Sequence, residues 1–74
     1  MRGQIKMKLS ARNQLKGIVK EIKIGAINAK VTIDINGQIL TSVVTIDAIE
    51  DLGIKVGDEV TSVIKSSSVM LMVD

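Results

Sequence analysis

Ala29-Lys30-Val31-Thr32-Ile33-Asp34-Ile35-Asn36-Gly37 alternates apolar and polar residues until it meets an Asn-Gly pair. A period of two puts Ala29, Val31, Ile33 and Ile35 on one face of a strand, with Lys30, Thr32 and Asp34 on the other. Asn36-Gly37 is a strong hairpin signal, because both residues tolerate the positive φ of a tight reversal. The stretch therefore predicts a strand, a tight turn and a returning strand over Gln38–Thr45.

Working outward, residues 15–24 read as a strand whose wet positions are Lys20, Glu21 and Lys23, broken by Gly25. Residues 4–10 also alternate, with Ile5, Met7 and Leu9 on one face. They are a strand candidate, with a frayed tail as the alternative. On the other side, Asp47 and Glu50 have the spacing of a capping box, and Gly53 stops the helix they open. Ile46, Ile49 and Leu52 share one face of that helix. Val56-Gly57-Asp58 reads as a turn, residues 59–65 as a strand and residues 69–73 as the last strand. The order is β-β-β-α-β-β: all-β with one short helix, the order of a five-stranded OB-like barrel. An SH3-like barrel has a similar strand count, but the helix between the third and fourth strands favours OB.

The chain has 74 residues, which argues for a single domain over 1–74. A chain this short buries only about 60% of its unfolded surface, so small domains usually need a staple. With Cys 0 and His 0, disulfides, zinc fingers and Cys–His catalysis are excluded, and oligomerisation is the remaining staple. Hydrophobic residues make up 46% with no aromatic residue, which could supply an assembly interface. No apolar run approaches the roughly 20 residues of a membrane helix, and no signal peptide is visible, so the expected location is cytoplasmic with no membrane partner.

Three function classes follow. OB barrels often bind nucleic acid, and a nucleic-acid-binding OB module is the alternative reading. Single-strand binders stack bases on aromatic side chains in a positive groove. This chain has no aromatic residue, and its net charge of +2 is dispersed. No nucleic-acid partner is expected. Catalysis has less support: there is no imidazole, and Ser66-Ser67-Ser68 has only Lys65 as a base beside it. The acids look like turn, cap and surface residues, so the chain is expected not to be an enzyme and not to hold a metal directly. Anion recognition remains. A tetrahedral dianion offers only acceptors, and its ideal cage supplies only donors. Ser10, Arg12, Asn13, Lys65, Ser66 and Ser67 form such a donor set, and Thr45 stands at a strand-to-helix junction where N–H groups point outward.

Ser10-Ala11-Arg12-Asn13-Gln14-Leu15-Lys16-Gly17 resembles the opening signature of the molbindins, small molybdate-binding proteins made of one Mop (TOBE-type) domain. The resemblance runs on through Gly25-Ala26-Ile27-Asn28-Ala29, Val44-Thr45-Ile46-Asp47, Asp51-Leu52-Gly53 and Val63-Ile64-Lys65-Ser66-Ser67-Ser68-Val69-Met70. It covers roughly residues 8–73. It implies an OB-like Mop barrel and a hexamer built as a trimer of dimers, with oxyanion sites at subunit interfaces. The implied ligand is molybdate, with tungstate as its analogue, and the implied role is storage or homeostasis of molybdenum. The family's main site would map to Ser10, Arg12, Thr45, Lys65 and Ser66. A second class of site would fall near Asn28 and the Gly25-Ala26 turn. In one departure, residues 1–6 stand ahead of the family's usual start and read as an N-terminal extension.

Overall fold

The computed structural model of the chain describes residues 12–74. Its elements are β1 (Asn13–Ile24), β2 (Asn28–Ile35), β3 (Gln38–Thr45), α1 (Ile46–Leu52) and β4 (Glu59–Ile64), then a 3-10 turn over Ser66–Ser68. All pairings are antiparallel, in the order β3-β2-β1-β4. The strand candidate at residues 4–10 lies outside the described residues.

The alternation in β2 is realised as the sequence predicts. Ala29, Val31 and Ile33 are buried, and with Val19 of β1 they form the core. Ile22, Leu40, Val44, Ile49, Ile54 and Val60 pack around that centre from every other element. The turn beyond β2 has φ of 51° at Asn36 and 91° at Gly37. These are the positive values that the Asn-Gly pair is suited to. The Asp34 side chain accepts the Gly37 N–H at 2.7 Å and closes the turn from inside.

The helix opens two residues earlier than the sequence suggests. Thr45, not Asp47, is the N-cap: its Oγ1 accepts the Ala48 N–H at 3.0 Å. Asp47 falls instead in the first turn, where its charge meets the positive end of the helix dipole. The far end is as expected, with Gly53 left-handed at φ 65° and its N–H donating to the Ile49 and Glu50 carbonyls.

The bend in β1 closes the fold. Its first half pairs with β4, its second half with β2, and Ile18 belongs to both ladders. At the changeover the register slips between Val19 and Glu21. The slip frees the Val19 backbone to join the Val56-Gly57-Asp58 turn. Val19 N–H donates to Asp58 O at 2.9 Å, and Gly57 N–H donates to Val19 O at 2.8 Å. Such bulges sharpen a strand's bend and twist. Gly17 lies just before the slip, and a Cβ there would come within 2.6 Å of Ile33 Cγ2 and 2.8 Å of the Asp34 carbonyl oxygen. Only a glycine lets β1 pass this close over β2.

The expected fifth strand departs from the sequence reading. Residues 69–74 are not in a ladder, and Met70, Leu71, Met72 and Val73 are 87–93% exposed. A strand exists only against a partner, and this segment has none among the described residues. The seat it would need is nevertheless present. β3 and β4 are the two sheet edges. Between them runs a groove of about 540 Å³, lined by Leu40, Val44, Val60, Ile64 and Val69 among others. Ser62 also lines it, with its hydroxyl oxygen buried and without a hydrogen-bond partner. The OB-like class holds, with four strands described and the fifth position open.

Candidate functional site

The β1–β4 ladder ends at the pair Asn13 and Ile64, and Arg12 and Lys65 are the next residues beyond that last pair. Like charges brought close at the end of an antiparallel pair repel. Both side chains are exposed. The fold thus brings two cations to the same ladder end, an arrangement that a dianion would relieve.

The residues around this pair are donors. Lys65 leads into the Ser66–Ser68 turn, in which Ser68 N–H donates to Lys65 O at 2.9 Å and Val69 N–H to Ser66 O at 3.2 Å. The first N–H groups of such a turn have no partner within it. The hydroxyls of Ser66 and Ser67 are exposed on the same turn. Arg12, Lys65, Ser66 and Ser67, expected from the sequence as one donor set, are therefore gathered at one corner. Ser10 lies outside the described residues.

Two expected residues behave differently. Asn13 is half-buried, and its Nδ2 donates to the Ile64 carbonyl at 3.3 Å, so the amide is engaged across the ladder. Thr45 pairs with Asn28 at the other end of the sheet, beyond the pairing of Ile24 with Ala29. The ladder register therefore separates it from Arg12 by the length of β1. Its hydroxyl accepts from Ala48 but keeps its own proton to donate. One chain does not bring Thr45 to the Arg12–Lys65 corner through its ladders.

The Thr45 end has a cation pair of its own. Lys23 of β1 stands opposite Lys30 of β2. They flank a shallow hollow lined also by Gly25, Asn28 and Val43, where Gly25 N–H donates to Asn28 O at 2.8 Å. This is the turn that the resemblance links with a second class of site. The residues that line the hollow carry no hydroxyl. Among the described residues, no group of three or more His, Cys, Asp or Glu side chains could hold a metal ion, and no helix is long and apolar enough to cross a membrane.

Sequence reasoning found the residue types but not their meeting. That Arg12 and Lys65 reach one ladder end depends on which strands pair and in what register. The engaged amide of Asn13 has no signal in composition or spacing. The Thr45 cap did have one, since threonine is a preferred N-cap residue and Thr45 directly precedes the helical segment.

Comparison with known proteins gives a consistent picture. The family model of the TOBE domain matches residues 9–71. Molybdenum-pterin-binding protein 3 of Clostridium pasteurianum is 51% identical over 67 residues, covering 89% of this chain and 98% of the relative. A solved molybdate-binding protein from Sporomusa ovata superposes with a TM-score of 0.86 at 39% identity, over 89% of this chain and 98% of that one. The cytoplasmic molybdate-binding protein ModG, solved with molybdate bound, gives 0.77 at 48% identity, over 81% of this chain and 43% of its own.

Proposed function

The chain belongs to the TOBE-domain family, among the small molybdenum-pterin-binding proteins, and we propose that it binds molybdate as the intact oxyanion. The observation that carries this reading is that Arg12 and Lys65 both lie just beyond the last β1–β4 pair, at a ladder end bordered by Ser66 and Ser67. Two cations supply charge, and hydroxyls and turn N–H groups supply direction. The site binds and releases and does no chemistry on the ligand. Tungstate, with the same shape and charge, enters the same cage. The role that fits is a molybdenum store or buffer, and the description of ModG as cytoplasmic supports the same location here.

A donor-rich cage discriminates by protonation. Near neutral pH phosphate is a mixture of singly and doubly protonated anions, whose protons find only the few hydroxyl oxygens as acceptors among N–H donors. A buried hydrogen-bonding group left unmade costs about 1–3 kcal/mol, a preference of roughly tenfold to hundredfold for molybdate. Sulfate carries no proton but is smaller, so it is rejected by fit. Calorimetric titration with molybdate, repeated in the presence of phosphate or sulfate, tests the reading. Displacement of molybdate by an equal concentration of phosphate would contradict it.

The site is shared between subunits in this reading. Thr45 stands away from Arg12 and Lys65 in the register of its own chain, so a second copy is the natural source of that donor. Assembly also has much to cover: Ile27, Ile39, Val43, Leu52 and the tail from Met70 to Val73 are all exposed. The open seat between β3 and β4 offers edge-strand hydrogen bonds as well. The resemblance makes the assembly a hexamer, a trimer of dimers. Mixing an Arg12→Ala chain with a Thr45→Ala chain tests the sharing. Each alone should bind poorly, and mixed particles should regain some native sites, because one interface then unites the intact Arg12 and the intact Thr45. Failure of the mixture to recover any binding would show that both residues act within one chain.

A further inference from the structure

Resting on that reading, we infer that Asn13 is a positioning residue that fixes the spacing of the two anion-binding cations and does not itself touch the anion. Its Nδ2 donates to the Ile64 carbonyl at 3.3 Å across the last pair of the β1–β4 ladder. The next position on each strand is a cation, Arg12 on one side and Lys65 on the other. The end of a ladder is where strands fray, and mutual repulsion of two cations adds to that tendency. A side-chain bond from one strand to the other's backbone at that point opposes the splaying. Without it the two cations would separate, and a small dianion could not contact both.

Alternation along the strand argues against direct contact. Successive side chains point to opposite faces. Asn13 shares its face with Leu15 and the buried Gly17, and its partner Ile64 shares the inner face of β4 with Val60 and Ser62. Arg12 and Lys65 are each offset by one residue and fall on the opposite face. Asn13 and Ile64 are half-buried, whereas Arg12 and Lys65 are exposed.

The test is a double-mutant cycle read by molybdate calorimetry, with oligomer size followed in parallel. Asn13→Ala should weaken binding roughly threefold to tenfold, the effect of one hydrogen bond. In an Arg12→Ala chain, where there is no longer a pair to space, the same change should weaken binding by less than about twofold. An equal loss in both backgrounds would mean that Asn13 acts on the anion independently, and would overturn the inference. So would native affinity of Asn13→Ala. Asn13→Asp is the second variant: it keeps the shape but sets an acceptor against the Ile64 carbonyl. It should lose at least as much as Asn13→Ala, and native affinity there would also overturn the inference. Native affinity of Arg12→Ala alone would instead sink the anion reading itself, so the two failures are distinguishable.

Discussion

The two ends of β1 carry the same charge in different company. At one end Arg12 and Lys65 flank the last pair of the β1–β4 ladder, beside the Ser66–Ser68 turn. At the other Lys23 stands opposite Lys30, beside the Gly25 to Asn28 turn, whose hollow carries no hydroxyl. A pair of cations attracts any anion, weakly and without direction, when it is solvated and screened by salt. Donors with fixed directions turn attraction into recognition. On the proposed reading, molybdate belongs at the serine-bordered end, and the lysine pair offers only diffuse attraction in an isolated chain.

The largest effect should come from removing the cations end by end. Arg12→Ala and Lys65→Ala should each cost about 1.5–3 kcal/mol of molybdate affinity, the range for hydrogen bonds to charged groups. Lys65 should lie at the lower end, because water can replace an ammonium more readily than a guanidinium fork. The Lys23→Ala, Lys30→Ala double variant should bind tightly with little change. Calorimetry on the three chains checks this, and the reverse ranking would exchange the roles of the two ends.

Next comes the hinge between the ends. Gly17→Ala sets a methyl against Ile33 Cγ2 and the Asp34 carbonyl. Overpacking of this kind costs about 1–3 kcal/mol of stability, and it should appear as a lower urea midpoint. An unchanged midpoint would show that β1 has room to shift and that its bend is not fixed there.

A smaller change separates the two uses of Thr45. Thr45→Ala should lose about 1 kcal/mol of stability with the helix cap and also weaken molybdate binding. Thr45→Ser keeps the hydroxyl and should preserve both. Urea denaturation and calorimetry on the same samples report the two losses. A stability loss with native binding would leave Thr45 as a cap alone.

The smallest effect should be Lys23→Glu. It replaces like charges in opposition with an attractive pair, worth a few tenths of a kcal/mol in stability. Chemical denaturation at low salt and again at high salt checks it, since screening should erase most of the gain.

Much of this architecture is legible in the sequence because it depends on local pattern. The alternation of residues 29–35, the Asn36-Gly37 turn and the Gly53 stop each report their structure within a few residues. The expected strand at residues 69–73 has equally good composition but no partner among the described residues, and pattern cannot report the supply of partners. The site divides in the same way. Donor types in Arg12, Lys65 and the serines are visible as letters. Their meeting depends on the β1–β4 register, whose last pair joins Asn13 to Ile64 across 51 positions of sequence. Asn13 reads as a ligand donor for the same reason: only the ladder shows that its amide is already engaged with Ile64.

The central claim is that molybdate is held by Arg12 and Lys65 at a site that a second subunit completes. Native mass spectrometry of the whole chain, with and without added molybdate, addresses it most directly because it reports subunit number and bound oxyanion together. The expected result is a hexamer that gains the mass of several molybdate ions, and an Arg12→Ala, Lys65→Ala hexamer that gains almost none. Monomers that bind molybdate stoichiometrically, or a doubly substituted chain that loads as fully as the native one, would contradict it.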